Sequence, residues 1–286
     1  MYDSLESIRK REEKTKKPFW RLVMEDDMAE QNITEEKSFA GMKHMYQAMR
    51  FSDENYDPKL KSNSGLAGTD AEKLKVYQES GKMICNDFIG DVMVRALKVA
   101  ESNACMKRIV AAPTAGSCGV LPAVLLTAQE RLGLTEDQMT QALFVAGGIG
   151  GVIAQRAFIA GAEGGCQAEI GAASSMAAGA LAYLRGGSAK EILNASALAL
   201  KNLLGLACDP VGGLVEVPCV KRNVIGSVNA VTSVDLTMAG IETKIPADEV
   251  IDAMKSIGKR MDVSIRETGK GGLAITPTGL NYVSKD

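Results

Sequence analysis

The chain has 286 residues, a formal net charge of −2 and a single histidine. That length builds one large core or two modest ones. Its near-neutral charge offers no basic surface to nucleic acid or an anionic membrane. One histidine excludes a His-rich metal site, or a His-dependent triad, made by this chain alone.

No apolar run reaches the ~20 residues of a membrane span. The polar start Met1-Tyr2-Asp3-Ser4-Leu5-Glu6 argues against a signal peptide. The expectation is a cytoplasmic chain with reduced thiols. Its six cysteines are then ligands, nucleophiles or core filler before they are disulfides. Ala, Gly, Met and Leu dominate the apolar fraction and aromatics reach only 5%, a makeup that lets helices approach closely.

In chain order, residues 1–17 are rich in Lys, Arg and Glu and read as a solvated helix or frayed arm. Residues 20–30 and 34–50 have helical rhythm, with Thr34 as a cap and His44 mid-helix. Ser62-Asn63-Ser64-Gly65-Leu66-Ala67-Gly68-Thr69 is a break able to present N–H groups to an anion. Asp70 reads as the N-cap of a helix over 70–100 that contains Cys85, with Cys105 beyond it. Both cysteines read as small buried hydrophobes.

Pro113-Thr114-Ala115-Gly116-Ser117-Cys118-Gly119 is a second break. It lacks the lysine of a nucleotide-binding loop, but its hydroxyls and amides suit a carboxylate. Cys118 stands where a helix N-terminus lowers a thiol pKa. With no base nearby it reads as a wall residue. Further helices are expected over 135–160, 171–185, 189–206, 220–238 and 247–261, with Ser188 as a cap after Gly186-Gly187. The period is helical almost throughout, so the predicted fold is all-α, one catalytic domain over 1–286.

Cys166, Cys208 and Cys219 lie beside glycine, proline or a carboxylate rather than inside plain apolar runs. The paired spacings of zinc and of bacterial ferredoxins are absent. Read on their own, these cysteines are either core filler or the three thiolates of an iron–sulfur cluster with one open iron.

Several motifs occur together and in order: Ser64-Gly65-Leu66-Ala67-Gly68, Pro113 to Gly119, Gly165-Cys166-Gln167-Ala168-Glu169-Ile170-Gly171, Cys208-Asp209-Pro210-Val211, Val217-Pro218-Cys219, and Arg266-Glu267-Thr268 with Gly271-Gly272-Leu273-Ala274. In this the chain resembles the iron–sulfur-dependent L-serine dehydratase family over nearly its whole length. It is most similar to the alpha chain of the two-subunit form, because members fused into one chain carry an extra N-terminal βαβ-type region that this sequence does not show.

The resemblance implies that Cys166, Cys208 and Cys219 ligate a [4Fe-4S] cluster in a mostly helical domain. The open iron then acts as a Lewis acid on the hydroxyl of L-serine, which becomes pyruvate and ammonia without pyridoxal phosphate. Ser64, Gly65, Gly68, Thr114, Ala115, Gly116, Ser117 and Cys118 are expected around the substrate carboxylate. Glu169, Asp209 or Glu267 are expected at its ammonium. Lys221, Arg222 and Asn223 orient substrate or balance the cluster's charge. With His44 outside every motif, the catalytic base is expected on a partner beta chain. Elimination of sulfide from cysteine on a similar open iron, a cluster-based electron carrier or sensor, and a helical scaffold stand as alternatives.

Overall fold

The computed structural model describes residues 2–85 and 87–283. Its helices are α1 (Leu5–Thr15), α2 (Phe19–Gln31), α3 (Glu35–Glu54), α4 (Asp70–Glu79), α5 (Asp87–Ala104), α6 (Val120–Leu132), α7 (Glu136–Arg156), α8 (Gly161–Gly164), α9 (Ala172–Leu184), α10 (Ala189–Lys201), α11 (Cys219–Met238), α12 (Ala247–Arg260) and α13 (Pro277–Val283). Among the described residues there is no sheet, only an isolated parallel bridge between Cys208 and Arg266. The all-α class expected from periodicity holds.

Three helix starts follow capping rules. Thr34 accepts from the Lys37 N–H, and Thr135 and Ser188 form reciprocal boxes with Gln138 and Glu191. Asp70 departs from its expected place. It is the first residue of α4, behind Thr69 at φ 72°. The N–H groups of Asp70 and Ala71 donate to the buried Glu101 carboxylate at 2.8 and 3.3 Å. A side chain remote in sequence thus satisfies donors that a local cap would take.

The single helix expected over 70–100 is two. Gly81 (φ 71°) and Asp87 (φ 53°) are left-handed and separate α4 from α5. Cys85 falls in this break and is exposed, not buried, while Cys105 is half-buried. The expected N-terminal arm is, over α1, a capped and docked helix. Leu5 and Ile8 are fully buried, and the Leu5 and Glu6 N–H groups donate to Asp248 at 2.9 and 3.1 Å.

Helix α9 lies at the centre, packed on α6, α7, α10 and α11. Every residue from Ala172 to Ala182 is buried, as a helix apolar on all sides requires. Its serines are satisfied by backbone carbonyls, Ser174 by Gly226 at 2.7 Å and Ser175 by Ser196 at 3.0 Å. A Cβ on Gly179 would stand 2.2 Å from Ile149 Cδ1 of α7. The glycine cluster of α7 works similarly. A Cβ on Gly148 would meet Val23 of α2 at 2.5 Å, and one on Gly150 would meet Met176 of α9 at 2.8 Å. The helix stays unbroken because neighbours occupy the space its side chains would fill.

No helix of the described residues is long and apolar enough to cross a membrane. The N-terminal ends of α6, α9 and α11 meet through a 3-10 turn (Ala115–Ser117) and a π turn (Gln167–Gly171). Helix N-termini carry partial positive charge, so this corner favours anions.

Candidate active site at the meeting of three helix starts

Cys166 directly precedes the π turn, Cys208 lies between α10 and a 3-10 turn (Val211–Gly213), and Cys219 opens α11. All three are buried. The Cys208 N–H donates to the Ile265 carbonyl at 2.8 Å, and its carbonyl accepts from the Glu267 N–H at 2.7 Å. The C-terminal segment therefore fixes the backbone of Cys208.

The three thiols act on one another. The neighbouring Cys208 thiol and the Arg222 guanidinium hold the Cys166 thiol below its ordinary value. Cys166 and burial push Cys208 up. Burial, with Cys166 and Glu169 nearby, pushes Cys219 up to about 12. Arg222 itself donates to the Ala207 carbonyl at 2.6 Å and to Asp209 at 2.9 Å.

Glu169 sits in the π turn with its carboxylate buried and its Oε2 3.9 Å from Cys208 Sγ. Burial raises its pKa, a hydrogen bond from Thr114 at 2.6 Å opposes this, and Glu267 adds to the rise. Gly161 is the floor beneath them. A Cβ there would lie 2.8 Å from Glu169 Oε2, 2.9 Å from Cys208 Sγ and 3.1 Å from Glu267 Oε2. Sequence reasoning did not single out Gly161. Its only signal was a glycine a few residues before the Cys166 motif.

The Thr114 turn is anchored from both sides. Thr114 and Ser117 cap one another. Asn223 accepts from the Gly119 N–H at 2.9 Å and donates to the carbonyls of Gly116 and Cys219 at 2.8 and 3.0 Å. Its amide is thus a brace between turn and helix, not an open substrate contact. Ala115 is exposed and Gly116 half-buried, with Gly116 against Glu169.

Two further sequence candidates are held by partners of their own, and of the two readings given to Cys118 the geometry favours the wall residue. Cys118 is fully buried, and its thiol, pushed up to about 12 by burial, donates to the Val99 carbonyl at 3.8 Å. It is a wall residue and does not face the site. Asp209 accepts from Arg222 and, at 2.8 Å, from the Leu273 N–H. One oxygen thus holds Arg222 of α11 and the other the C-terminal segment, so the carboxylate has a structural role before any substrate binds.

Around Gly65 and Gly68 the first glycine loop folds on itself. Gly68 has φ 111°, and a Cβ there would stand 2.3 Å from the Leu60 carbonyl oxygen. The hydroxyls of Ser62 and Ser64 both donate to one oxygen of Glu216, at 2.7 and 2.6 Å. Neither Ser62 nor Glu216 stood among the sequence candidates. Val215, next to Glu216, packs against Gly116, which brings this loop beside the Thr114 turn.

Elsewhere, a cavity of about 730 Å³ lies among α1, α10 and the segment before α12. Its basic side chains are paired, Arg9 with Glu6 and both Lys190 and Lys244 with Glu242, and Asp248 accepts from the start of α1. That leaves no convergent chemistry there. His44 is exposed on α3, which packs on α2, α5, α6 and α7. Among the described residues, no three His, Cys, Asp or Glu side chains converge as a single-ion site requires.

A family profile described as "Serine dehydratase alpha chain" matches residues 14–274. The chain is 47% identical over 264 residues to a Bacillus subtilis protein named "Probable L-serine dehydratase, alpha chain", covering 92% of this chain and 88% of that one. It is 41% identical over 259 residues to the "L-serine dehydratase, alpha chain" of Peptoniphilus asaccharolyticus, covering 90% and 89%. Its match to the "L-serine dehydratase" of Helicobacter pylori, 40% identical over 245 residues, covers 84% of this chain but 53% of that protein.

Proposed function

Because the chain belongs to the serine dehydratase alpha chain family, we propose that it converts L-serine to pyruvate and ammonia, with Cys166, Cys208 and Cys219 holding a [4Fe-4S] cluster. The observation that carries this reading is the group of three buried thiols, drawn from three separate elements, beside the buried Glu169 carboxylate. A cluster does not need its ligands to converge on one point, because each thiolate meets a different iron. The donor set is soft sulfur with a neighbouring guanidinium, which suits an anionic iron–sulfur group. Gly161 supports it too, since the space a side chain would take lies against Cys208 Sγ.

When bound, the cluster supplies an iron free of thiolate as Lewis acid to the serine hydroxyl. The chain's own residues bind and orient. Thr114 and Ser64 each have one hydroxyl proton, committed to Glu169 and Glu216. The substrate carboxylate therefore meets backbone N–H groups of the two loops, including those of Ala115 and Gly116 at the start of their turn. Glu169 and Glu267 face the substrate ammonium, whose positive charge draws a raised carboxyl pKa back towards the ionised form. Loss of the Cα proton and of hydroxide leaves aminoacrylate, which tautomerises and hydrolyses to pyruvate and ammonia.

The base belongs to a beta chain docked over the site. The name "alpha chain" among relatives supports a second polypeptide. Leu214, Leu273 and Ile275 are exposed on the segments that hold Asp209 and Cys208, and they offer that partner an apolar rim.

The test is anaerobic purification with the partner, iron and sulfide analysis, and a pyruvate assay with L-serine. Sulfide from L-cysteine with no pyruvate from L-serine would overturn the substrate. A narrower expectation concerns Gly161→Ala. Displacing Glu169 or Cys208 even slightly should lower turnover about a hundredfold, with the far-ultraviolet circular dichroism unchanged. Near-native turnover in that variant would show that the space is not part of the site.

A further inference from the structure

Glu216 is only 6% exposed, and burying a carboxylate is costly unless it is satisfied. Among the described residues no lysine or arginine pairs with it. Its partners are the hydroxyls of Ser62 and Ser64, more than 150 residues earlier in the chain. An apolar residue of similar volume would serve stability as well or better.

The hydroxyls pass the constraint into the loop. Ser64 Oγ accepts from the Leu66 N–H at 3.0 Å, and Ser62 Oγ accepts from the Ala67 N–H at 3.2 Å. The loop then closes through Ser62 N–H to the Ala67 carbonyl at 3.0 Å and Gly65 N–H to the Ser62 carbonyl at 2.9 Å. One carboxylate oxygen therefore orients four residues of backbone. At its other end Glu216 is tied to the start of α11, where its carbonyl accepts from the Val220 N–H at 3.0 Å. Cys219 precedes Val220.

We propose that Glu216 is a positioning residue for the substrate: it clamps the Ser62–Gly68 loop, through the two serine hydroxyls, to the helix start that carries Cys219. The N–H groups that these bonds leave uncommitted, those of Asn63, Ser64 and Gly68, are thereby aimed by the element that also holds a cysteine of the site. This rests on the serine-binding role given above to that loop. It adds that the loop's register is set by a side chain that touches no substrate.

The experiment uses the cluster-loaded protein with its partner. Glu216→Ala removes an acceptor of two charge-assisted hydrogen bonds, so KM for L-serine should rise roughly tenfold or more. kcat and iron content should stay within about twofold, as expected when orientation of the bound substrate is recovered at saturation. Glu216→Gln keeps a carbonyl oxygen for both hydroxyls and should restore KM to within about threefold of native. Ser64→Ala added to Glu216→Ala should bring no further loss, because the two act as one unit.

Amide hydrogen exchange supplies a readout apart from turnover. The Leu66 and Ala67 amides should exchange faster in Glu216→Ala, and by a smaller factor in Glu216→Gln, which keeps an acceptor for the hydroxyls should the truncation prevent folding. Unchanged exchange at these amides, or additive losses in KM, overturns the clamp. Failure of native protein to use serine would overturn the function and leave the exchange result to decide the clamp.

Discussion

Replacing Cys166, Cys208 or Cys219 singly by alanine is expected to lower pyruvate formation about a thousandfold or more, since Lewis-acid stabilisation contributes several kcal/mol and each ~1.4 kcal/mol is tenfold. The visible absorption of the cluster should disappear with it. Under the proposed ligand set the three positions are equivalent in this respect, each thiolate being assigned a different iron. Cys85→Ala and Cys105→Ala should keep both properties. The first lies exposed in the break before α5, and the second lies half-buried just beyond that helix. Full iron content and turnover in Cys166→Ala would remove the ligand assignment.

The second large effect concerns the partner. General-base removal of a proton is worth ~10²–10⁴ in rate. The cluster-loaded chain alone should therefore turn L-serine over at least about a hundredfold more slowly than with the beta chain added. His44→Ala should change neither rate, because His44 is exposed on α3, a helix packed away from the cysteines. Full activity without a partner would place the base within this chain. Glu169→Gln would then be decisive. Glu169 is the buried carboxyl whose pKa is already raised by its surroundings, and loss of kcat together with the rise of its pH profile towards basic pH, KM unchanged, would name it as base rather than as ammonium contact.

Local chemistry was legible in the sequence. Thr34, Thr135 and Ser188 announce helix starts because a cap is a contact across three residues. The helical class follows from the same short-range period. Where a partner is remote in sequence, local reading failed. Asp70 looks like a cap, yet Glu101 performs that role from 31 residues away. Asp209 looks like an available carboxylate beside a cysteine, yet Arg222 and Leu273 hold both its oxygens. The break between α4 and α5 was readable only as Ser80 and Gly81, one weak stop signal against a long apolar rhythm. Gly161 and Glu216 became visible only once the chain had folded, because what matters about each is the space or the hydroxyl beside it.

The parallel bridge at Cys208 bears on how the protein is made. A nascent chain emerges from the ribosome in order, so Cys166, Cys208 and Cys219 all reach solvent before Ile265 and Glu267 exist. The backbone of Cys208 is held by these two late residues. Until they are made, the backbone of the middle cysteine lacks the two hydrogen bonds that fix it. The geometry of the three cysteines is therefore completed only once residues 265–267 have joined the fold.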